Sequence, residues 1–366
     1  MMASLWGNGT LACSVPVFRY ALERWQADPY DLLLFHRGPL SEEQESWVKT
    51  MEKASEETPF TNLYVTRVDL EQEIPSEAQE LWEKQIEAQT PWMVLLFTAR
   101  PGAPDPIWAG PLSQSDVACI LDSPSRREIA KRLGEGQSGV WVLVKIGDPE
   151  RDEKASDTLS QALDRLKKEL ALPNPAEWGM PVVPDSWPGL KVDFTMLEVS
   201  RQDPRESLFV DMLLRVEPDL LDYQEPMAFP IFGRGRALYA LVGKGIHEEN
   251  IEEACAFLVG PCLCQIKGMI PGRDLLFSAH WDSLLGENLA TNLLPAPFPA
   301  LAEVQATPKP TDPLLRKPPG EKDRLEQAGQ EGEENFSFLL YFLLATCIAA
   351  LVGGSFSLLL LRRNRS

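Results

Sequence analysis

Residues 90–98 read TPWMVLLFT, a proline followed by an unbroken apolar run, and this pattern predicts a buried β-strand beginning just after Pro91. A similar apolar run lies upstream at residues 31–36 (DLLLFH). Three elements are predicted between the two runs: a helix at residues 41–54 opened by Ser41 as a cap, a strand at 63–70 and a helix at 76–88. Strands that alternate with helices imply a mainly parallel sheet with helices on both faces. The sequence therefore predicts an α/β fold.

The elements that follow the proline make this prediction more specific. A short extended piece around residues 107–109 precedes a helix at about 125–133. The order strand, helix, strand, helix, strand after a proline, short strand, helix resembles a thioredoxin-like domain over roughly residues 14–135. That resemblance makes Pro91, after Thr90, a candidate cis proline. A proline at the start of a strand is also favoured for a purely local reason, because its missing N–H is harmless there.

The same order of elements is repeated in the second half of the chain, over residues 136–288. The predicted elements are strands at 140–146 and 192–199, helices at 155–170 and 204–216, strands at 227–232 and 237–242 around a turn at 233–236, and a closing helix at 247–258. A proline, Pro226, again precedes the penultimate strand, and the Pro-rich residues 173–188 form an excursion within this unit. The predicted architecture is two tandem thioredoxin-like units.

The chemistry usual for this fold is missing from both units. A thioredoxin-like oxidoreductase places Cys-x-x-Cys after the first central strand, at a helix N-terminus that lowers the thiol pKa. The equivalent positions hold His36, Arg37, Gly38 and Pro39 in the first unit and residues 147–150 (GDPE) in the second. Because thiol exchange needs a thiolate, the resemblance implies two redox-inactive units. His36 could serve another reaction, but a lone histidine at a strand end is more often structural.

The cysteines cluster elsewhere. Cys255, Cys262 and Cys264 lie close together in the sequence, and His280 follows them. Three thiols and an imidazole could form a thiol-redox site or a Cys3His zinc site, although zinc sites more commonly use two close cysteine pairs. A disulfide from Cys255 to Cys262 or Cys264, or inert thiols, are the simpler alternatives. No hydrolase, phosphate-loop or metalloprotease motif accompanies them, so no catalytic residue and no cofactor other than this possible zinc is predicted.

The start of the chain raises the question of export. The sequence Leu11-Ala12-Cys13 resembles the end of a bacterial lipoprotein signal, in which small residues precede a cysteine that becomes lipidated. Residues 1–12 nevertheless lack the basic region and apolar run of a signal peptide. Cys13 is therefore a candidate for lipidation or for signal cleavage beside it, and residues 1–13 are interpreted as a residual export segment.

The other end of the chain predicts a membrane anchor. Residues 336–361 contain no charged residue and are dense in Leu, Phe, Ala and Val, which is enough to cross a bilayer as one helix. Arg362, Arg363 and Arg365 follow at once, so residues 362–366 are predicted to be a cytoplasmic tail. This orientation places the body outside the cytoplasm, on a single-pass protein of the cell membrane. This orientation requires an export signal upstream of Met1. The alternative is a tail-anchored chain whose body stays in the cytosol.

Charge and composition narrow the classes of partner. The net charge of −19 argues against nucleic acid, because phosphate binding needs clustered Lys and Arg. The excess of acidic residues is explained by solubility. Residues 289–335 are rich in Pro, Ala, Thr, Glu and Lys without an apolar period, and they predict a disordered linker between body and membrane.

Several distinctive segments resemble a family of uncharacterised bacterial membrane-anchored proteins. They are residues 13–25 (CSVPVFRYALERW), 35–40 (FHRGPL), 227–244 (MAFPIFGRGRALYALVGK) and 260–264 (GPCLC). The resemblance implies an exported thioredoxin-like body but carries no activity with it. The expected function is a membrane-tethered extracytoplasmic module that binds a protein partner or supports assembly, rather than an enzyme. The alternative is a thiol-redox or metal-handling protein that uses Cys255, Cys262 and Cys264.

Overall fold

A computed structural model describes residues 15–56, 60–97, 106–173, 191–262 and 267–285. The first part of the chain forms α1 (Val17–Arg24), β1 (Tyr30–His36), α2 (Glu42–Glu56), β2 (Leu63–Asp69), α3 (Ser76–Glu83), β3 (Trp92–Phe97), β4 (Pro106–Pro111), α4 (Gln114–Leu121) and α5 (Pro124–Gly134). The second part forms β5 (Gly139–Lys145), α6 (Pro149–Glu169), β6 (Phe194–Ser200), α7 (Ser207–Leu213), β7 (Met227–Phe232), β8 (Arg236–Ala237), β9 (Leu241–Val242), α8 (Glu248–Val259), β10 (Arg273–Asp274) and α9 (Trp281–Leu285). The result is a mixed α/β fold built on two sheets.

The first sheet has the strand order β2-β1-β3-β4. Strand β1 runs parallel to β2 and antiparallel to β3, and β3 runs antiparallel to β4. The apolar runs predicted from the sequence are its two central strands, and their side chains are almost all buried. Continuous apolar runs are expected where helices cover both faces of a strand.

The prediction of a mainly parallel sheet is wrong, and the short helix α3 explains why. This helix has 8 residues, so it advances the chain by about 12 Å, while a strand of 7 residues is about 23 Å long. The chain therefore does not return along the sheet before β3 begins. The first residue of β3, Trp92, pairs with Phe35 near the end of β1. Strand β3 then runs in the opposite direction.

The second sheet repeats this plan with the order β10-β8-β7-β5-β6, and β9 also pairs with β7. Strand β5 is parallel to β6 and antiparallel to β7. Each half thus contains one parallel pair followed by an antiparallel strand, and each resembles a thioredoxin-like domain in its order of elements. The predicted strand at 237–242 is divided into β8 and β9, which pair with opposite ends of β7.

Several helices begin where the sequence supplies a capping side chain. The predicted cap of α2 is confirmed: the N–H of Gln44 donates to Ser41 Oγ (3.2 Å), and the N–H of Ser41 donates to Gln44 Oε1 (3.1 Å). Ser113 caps α4 and Ser123 caps α5 through their hydroxyl oxygens. Helix α4 was missed in the sequence, although Ser113 followed by Asp116 is a cap signal.

Two apolar cores follow from the alternation of side chains along the strands. Val140, Val142 and Val144 of β5 point into a core that also contains Leu32 and Leu34 of β1, so both sheets share it. The alternate residues of β5 point into a second core together with α1, α6 and α8. Because successive side chains of a strand face opposite sides, one strand serves both cores.

The two halves are interlocked through their ends. Helix α1 lies within residues 14–135, the predicted first unit, but it packs on β7 and α8 of the second. The N–H of Val17 donates to the carbonyl of Gly260 (3.0 Å), and the N–H of Cys262 donates to the carbonyl of Val15 (2.7 Å). In return, the N–H of Ala279 donates to the carbonyl of Phe60, beside the first sheet (2.6 Å). Each half therefore contributes a segment to the other.

Several predicted features lie outside the described residues: Cys13, Cys264, the linker at 289–335, the anchor at 336–361 and the tail at 362–366. Within the part of the chain that the structure describes, no helix is both long enough and apolar enough to span a bilayer.

Candidate functional site

The position that carries the active site in thioredoxin-like enzymes is occupied in the first unit by a tight turn. The turn follows β1 and contains His36, Arg37, Gly38 and Pro39. His36 Nδ1 lies 2.9 Å from the carbonyl oxygen of Gly38, which adopts φ +62°. The peptide bond before Pro91 is cis, and β3 begins directly after it beside the end of β1. The imidazole is thus held by the backbone of its own turn, at the sheet edge where Pro91 also lies.

The corresponding turn in the second unit, residues 147–150, is closed by carboxylates. Asp148 caps α6 by accepting the N–H of Arg151 (3.1 Å), and this backbone hydrogen bond is the main reason why the pKa of Asp148 lies below its ordinary value. The buried carboxylate of Asp152 accepts the N–H groups of Ile146 (3.0 Å) and Gly147 (2.8 Å). Both carboxylates are engaged in shaping the turn.

The two cysteines of the predicted cluster that the structure describes lie in an apolar core. Cys255 and Cys262 are buried in the core that contains Trp141. Cys255 carries a free thiol, and burial raises its pKa to about 12, an effect that the indole N–H of Trp141 offsets only in part. Such a thiol is not ionised near neutral pH, whereas nucleophilic and metal-binding cysteines act as thiolates. These are the properties of an inert core residue.

His280 does not join these cysteines. Its ring stacks on Phe60 with centroids 4.5 Å apart, next to the edge of the first sheet. Among the described residues, no group of three or more His, Cys, Asp or Glu side chains is arranged to hold a metal ion. The predicted combination of His280 with Cys255 and Cys262 is therefore not assembled in the described part of the chain.

A groove of about 910 Å³ lies in the second unit, and the sequence did not reveal it. Three segments line it: the first turns of α6, residues 217–226 with the 3₁₀ turn Leu220–Asp222, and residues 240–248 from β9 to the start of α8. Its apolar lining consists mainly of Ala155, Leu220, Tyr223, Pro226, Val242 and Ile246. Met227 pairs with both Val144 and Val242, so the groove lies where β5 ends. This is the sheet edge that bears the turn at residues 147–150.

The groove also presents apolar side chains to solvent. Tyr223, which lines the groove, is 42% exposed, and Leu221, two residues earlier on the 3₁₀ turn, is 44% exposed. Exposed apolar surface beside a concave site is a common mark of a binding surface. Of the residues that line the groove, the sequence pattern drew attention to Pro226, which precedes a predicted strand. The other walls of the groove come from segments distant in the chain.

Comparisons with known proteins do not assign this chain to a family. No protein-family model matches the chain, and no curated protein matches it. A solved structure of the first two thioredoxin domains of Eps1p from Naumovozyma dairenensis is similar, with 13% identity over 63% of this chain and 88% of that chain and a TM-score of 0.17. The fold class is accordingly described from the sheets themselves, as two units that resemble thioredoxin-like domains.

Proposed function

We propose that this chain is a membrane-tethered binding or assembly module, and that the groove beside α6 holds a segment of a partner protein. The observation that carries the proposal is the groove itself, which combines an apolar lining with the exposed side chain of Tyr223. Its volume of about 910 Å³ is at the upper end of the range for ligand pockets, about 300–1,000 Å³, and it is open to solvent. An open groove lined by apolar side chains suits a partner segment that binds through its own side chains.

Binding without redox chemistry follows from the residues at the two turns. Neither turn contains a cysteine, and thiol exchange requires one. His36 is held by Gly38, and Asp148 is engaged as a helix cap. Cys255, a member of the predicted redox cluster, is buried and its thiol is protonated near neutral pH. These features favour a module that holds a partner over one that oxidises or reduces it.

The tether and the compartment belong to the proposal on sequence grounds. Residues 336–361 would cross the bilayer, with Arg362 and Arg363 on the cytoplasmic side. The body would then act outside the cytoplasm, as in the bacterial membrane-anchored family that the sequence resembles. Residues 289–335 would let the body reach partners away from the membrane surface.

The groove is tested by filling it. Thr158 lines the groove on α6, and its hydroxyl donates to the carbonyl of Lys154 (2.8 Å). Thr50 on α2 makes the same contact with Ser46 (2.9 Å), which provides a matched control. Full-length protein in detergent is titrated with a fluorescent pool of peptides about nine residues long, with apolar and Ser residues alternating. We expect Thr158→Trp to weaken binding at least about tenfold and Thr50→Trp to leave it unchanged.

Two results contradict the assignment. If the unsubstituted protein does not bind the pool, the groove is not a general peptide site. If Thr50→Trp removes binding and Thr158→Trp does not, the peptide binds near the first sheet instead.

The tether is tested separately, by protease treatment of intact cells that express the chain with an epitope tag after Ser366. We expect the body to be degraded and the tag to survive inside, with Phe336 to Leu361 protected by the bilayer. A body that resists protease until the cells are lysed contradicts the extracytoplasmic placement, and release of the whole chain by carbonate washing contradicts the anchor.

A further inference from the structure

The charges that line the groove are unequally satisfied. It contains four carboxylates, and each has a partner within the protein. Glu217 Oε1 accepts the N–H of Ala240 (2.7 Å), and Asp219 accepts the hydroxyl of Tyr223 (3.4 Å). The other two contacts are Glu225 with Arg151 (3.4 Å) and Glu248 with Arg165 (2.8 Å). Each acidic side chain of the groove is thus engaged with another group of the protein.

Two cations in the groove remain available. Lys154 on α6 and Lys244 in the 3₁₀ turn Gly243–Gly245 both line it and are exposed. Within the described residues, neither ammonium group has an ion pair or a side-chain hydrogen bond. By contrast, Arg151 is held by Asp148 (2.8 Å) and by the carbonyl of Gln224 (3.1 Å). Among the described charged groups that line the groove, the two ammonium groups are therefore the ones left without a partner in the protein, and they are free to bind a carboxylate of a ligand.

From this asymmetry we infer that the groove selects a partner segment in which one Asp or Glu side chain is flanked by apolar residues, with Lys154 and Lys244 binding its carboxylate. The inference rests on the proposed function, because it specifies the ligand of the same groove. The flanking residues pack on Tyr223 and on the other apolar side chains of the lining. An ammonium on a flexible stem suits a single carboxylate without demanding bidentate geometry. A strongly acidic partner is disfavoured, because the net charge of −19 repels it at long range.

The experiment compares two peptide pools on full-length protein in detergent. Both pools have the alternating apolar and Ser pattern described above, and the central residue is Glu in one and Gln in the other. We expect the protein to bind the Glu pool about fivefold more tightly, the size expected for one partly exposed ion pair. The preference should shrink in high salt, because the lysines are exposed.

Substitutions assign the preference to the lysines. Lys154→Gln with Lys244→Gln should abolish the preference, and Lys154→Glu with Lys244→Glu should reverse it. The matched control is Lys84→Glu with Lys131→Glu, which makes the same change in net charge at two exposed lysines of the first unit and should leave the preference intact.

The outcomes separate the two proposals. Equal binding of both pools, or a preference that survives in the Lys154 and Lys244 variants, overturns the acidic specificity and leaves the groove as a peptide site if Thr158→Trp still weakens binding. Failure of both pools to bind the unsubstituted protein overturns both proposals.

Discussion

The reactivity of the Cys255 thiol distinguishes a binding module from a thiol-based function. The burial of this thiol in the structure predicts how slowly it should react. Burial raises the pKa of this thiol from an ordinary value of 9.0 to about 12. Near pH 8 the thiolate fraction is therefore about a thousandfold lower than in the unfolded chain. Because alkylation proceeds through the thiolate, native Cys255 should react with iodoacetamide at least about a thousandfold more slowly than Cys255 in urea. Burial of the sulfur adds to this protection.

The assay is a timed iodoacetamide pulse from pH 7 to pH 10, followed by peptide mass spectrometry. The native rate should rise about tenfold per pH unit throughout, since the folded pKa is about 12, while the rate in urea should level off above about pH 9. Cys119, which is only partly buried, is the internal control and should react faster than Cys255 in the native protein. A native rate for Cys255 that levels off near or below pH 9 would refute the reasoning and revive the thiol-redox alternative. Failure to react in urea without reductant would instead reveal a disulfide.

Three further predictions concern stability, measured by urea unfolding of the full chain. Arg126 is buried and donates to the carbonyls of Ile120 (3.1 Å), Leu276 (3.1 Å) and Cys119. Arg126→Met should lower the free energy of unfolding by about 3 kcal/mol, because it leaves three buried acceptors unpaired. The control Arg127→Met, at an exposed arginine, should lower it by less than about 1 kcal/mol. Equal costs for the two would show that the buried guanidinium contributes nothing. At Gly272 (φ +107°) an added Cβ would lie 2.1 Å from the carbonyl oxygen of Ala237. At Gly136 (φ +96°) nothing lies within 4 Å of an added Cβ, so Gly136→Ala should lower stability only through backbone strain of about 1–2 kcal/mol. Gly272→Ala should therefore lower stability clearly more than Gly136→Ala. Similar losses at the two glycines would contradict the close approach. Asp152→Ala should cost about 2 kcal/mol, because two backbone N–H groups lose a charged acceptor, and a change below about 0.5 kcal/mol would count against this role.

Local patterns were read well from the sequence. The strands predicted at 31–36, 63–70 and 140–146 correspond to β1, β2 and β5 within one or two residues. Their apolar runs are long enough and unbroken enough that neighbouring residues alone identify them. The predicted helix at 155–170 was begun too late, because α6 starts at Pro149 with Asp148 as its cap. That start was overlooked although Pro at the first helical position and Asp before it are both helix signals.

The candidate site was less accessible to sequence reasoning. His36 and Cys255 were singled out because their side chains are chemically capable, but the turn at Gly38 and the core around Trp141 occupy them otherwise. Pro226 was noticed only as a repeat of Pro91. The groove beside it depends on α6, residues 217–226 and residues 240–248 meeting in space. A local sequence pattern does not indicate which distant segments come together in the fold.

What the sequence determined by itself is most of the helices and strands, their order and the absence of a cysteine at the two turns. Side-chain periodicity and capping depend on neighbours a few residues apart, so these features are local. The tertiary structure decided the direction of β3, the exchange of α1 and the segment near Ala279 between the halves, and the groove with Lys154 and Lys244 left available. These depend on which distant surfaces bury one another, and burial of apolar area is not directional enough for the sequence alone to specify that pairing.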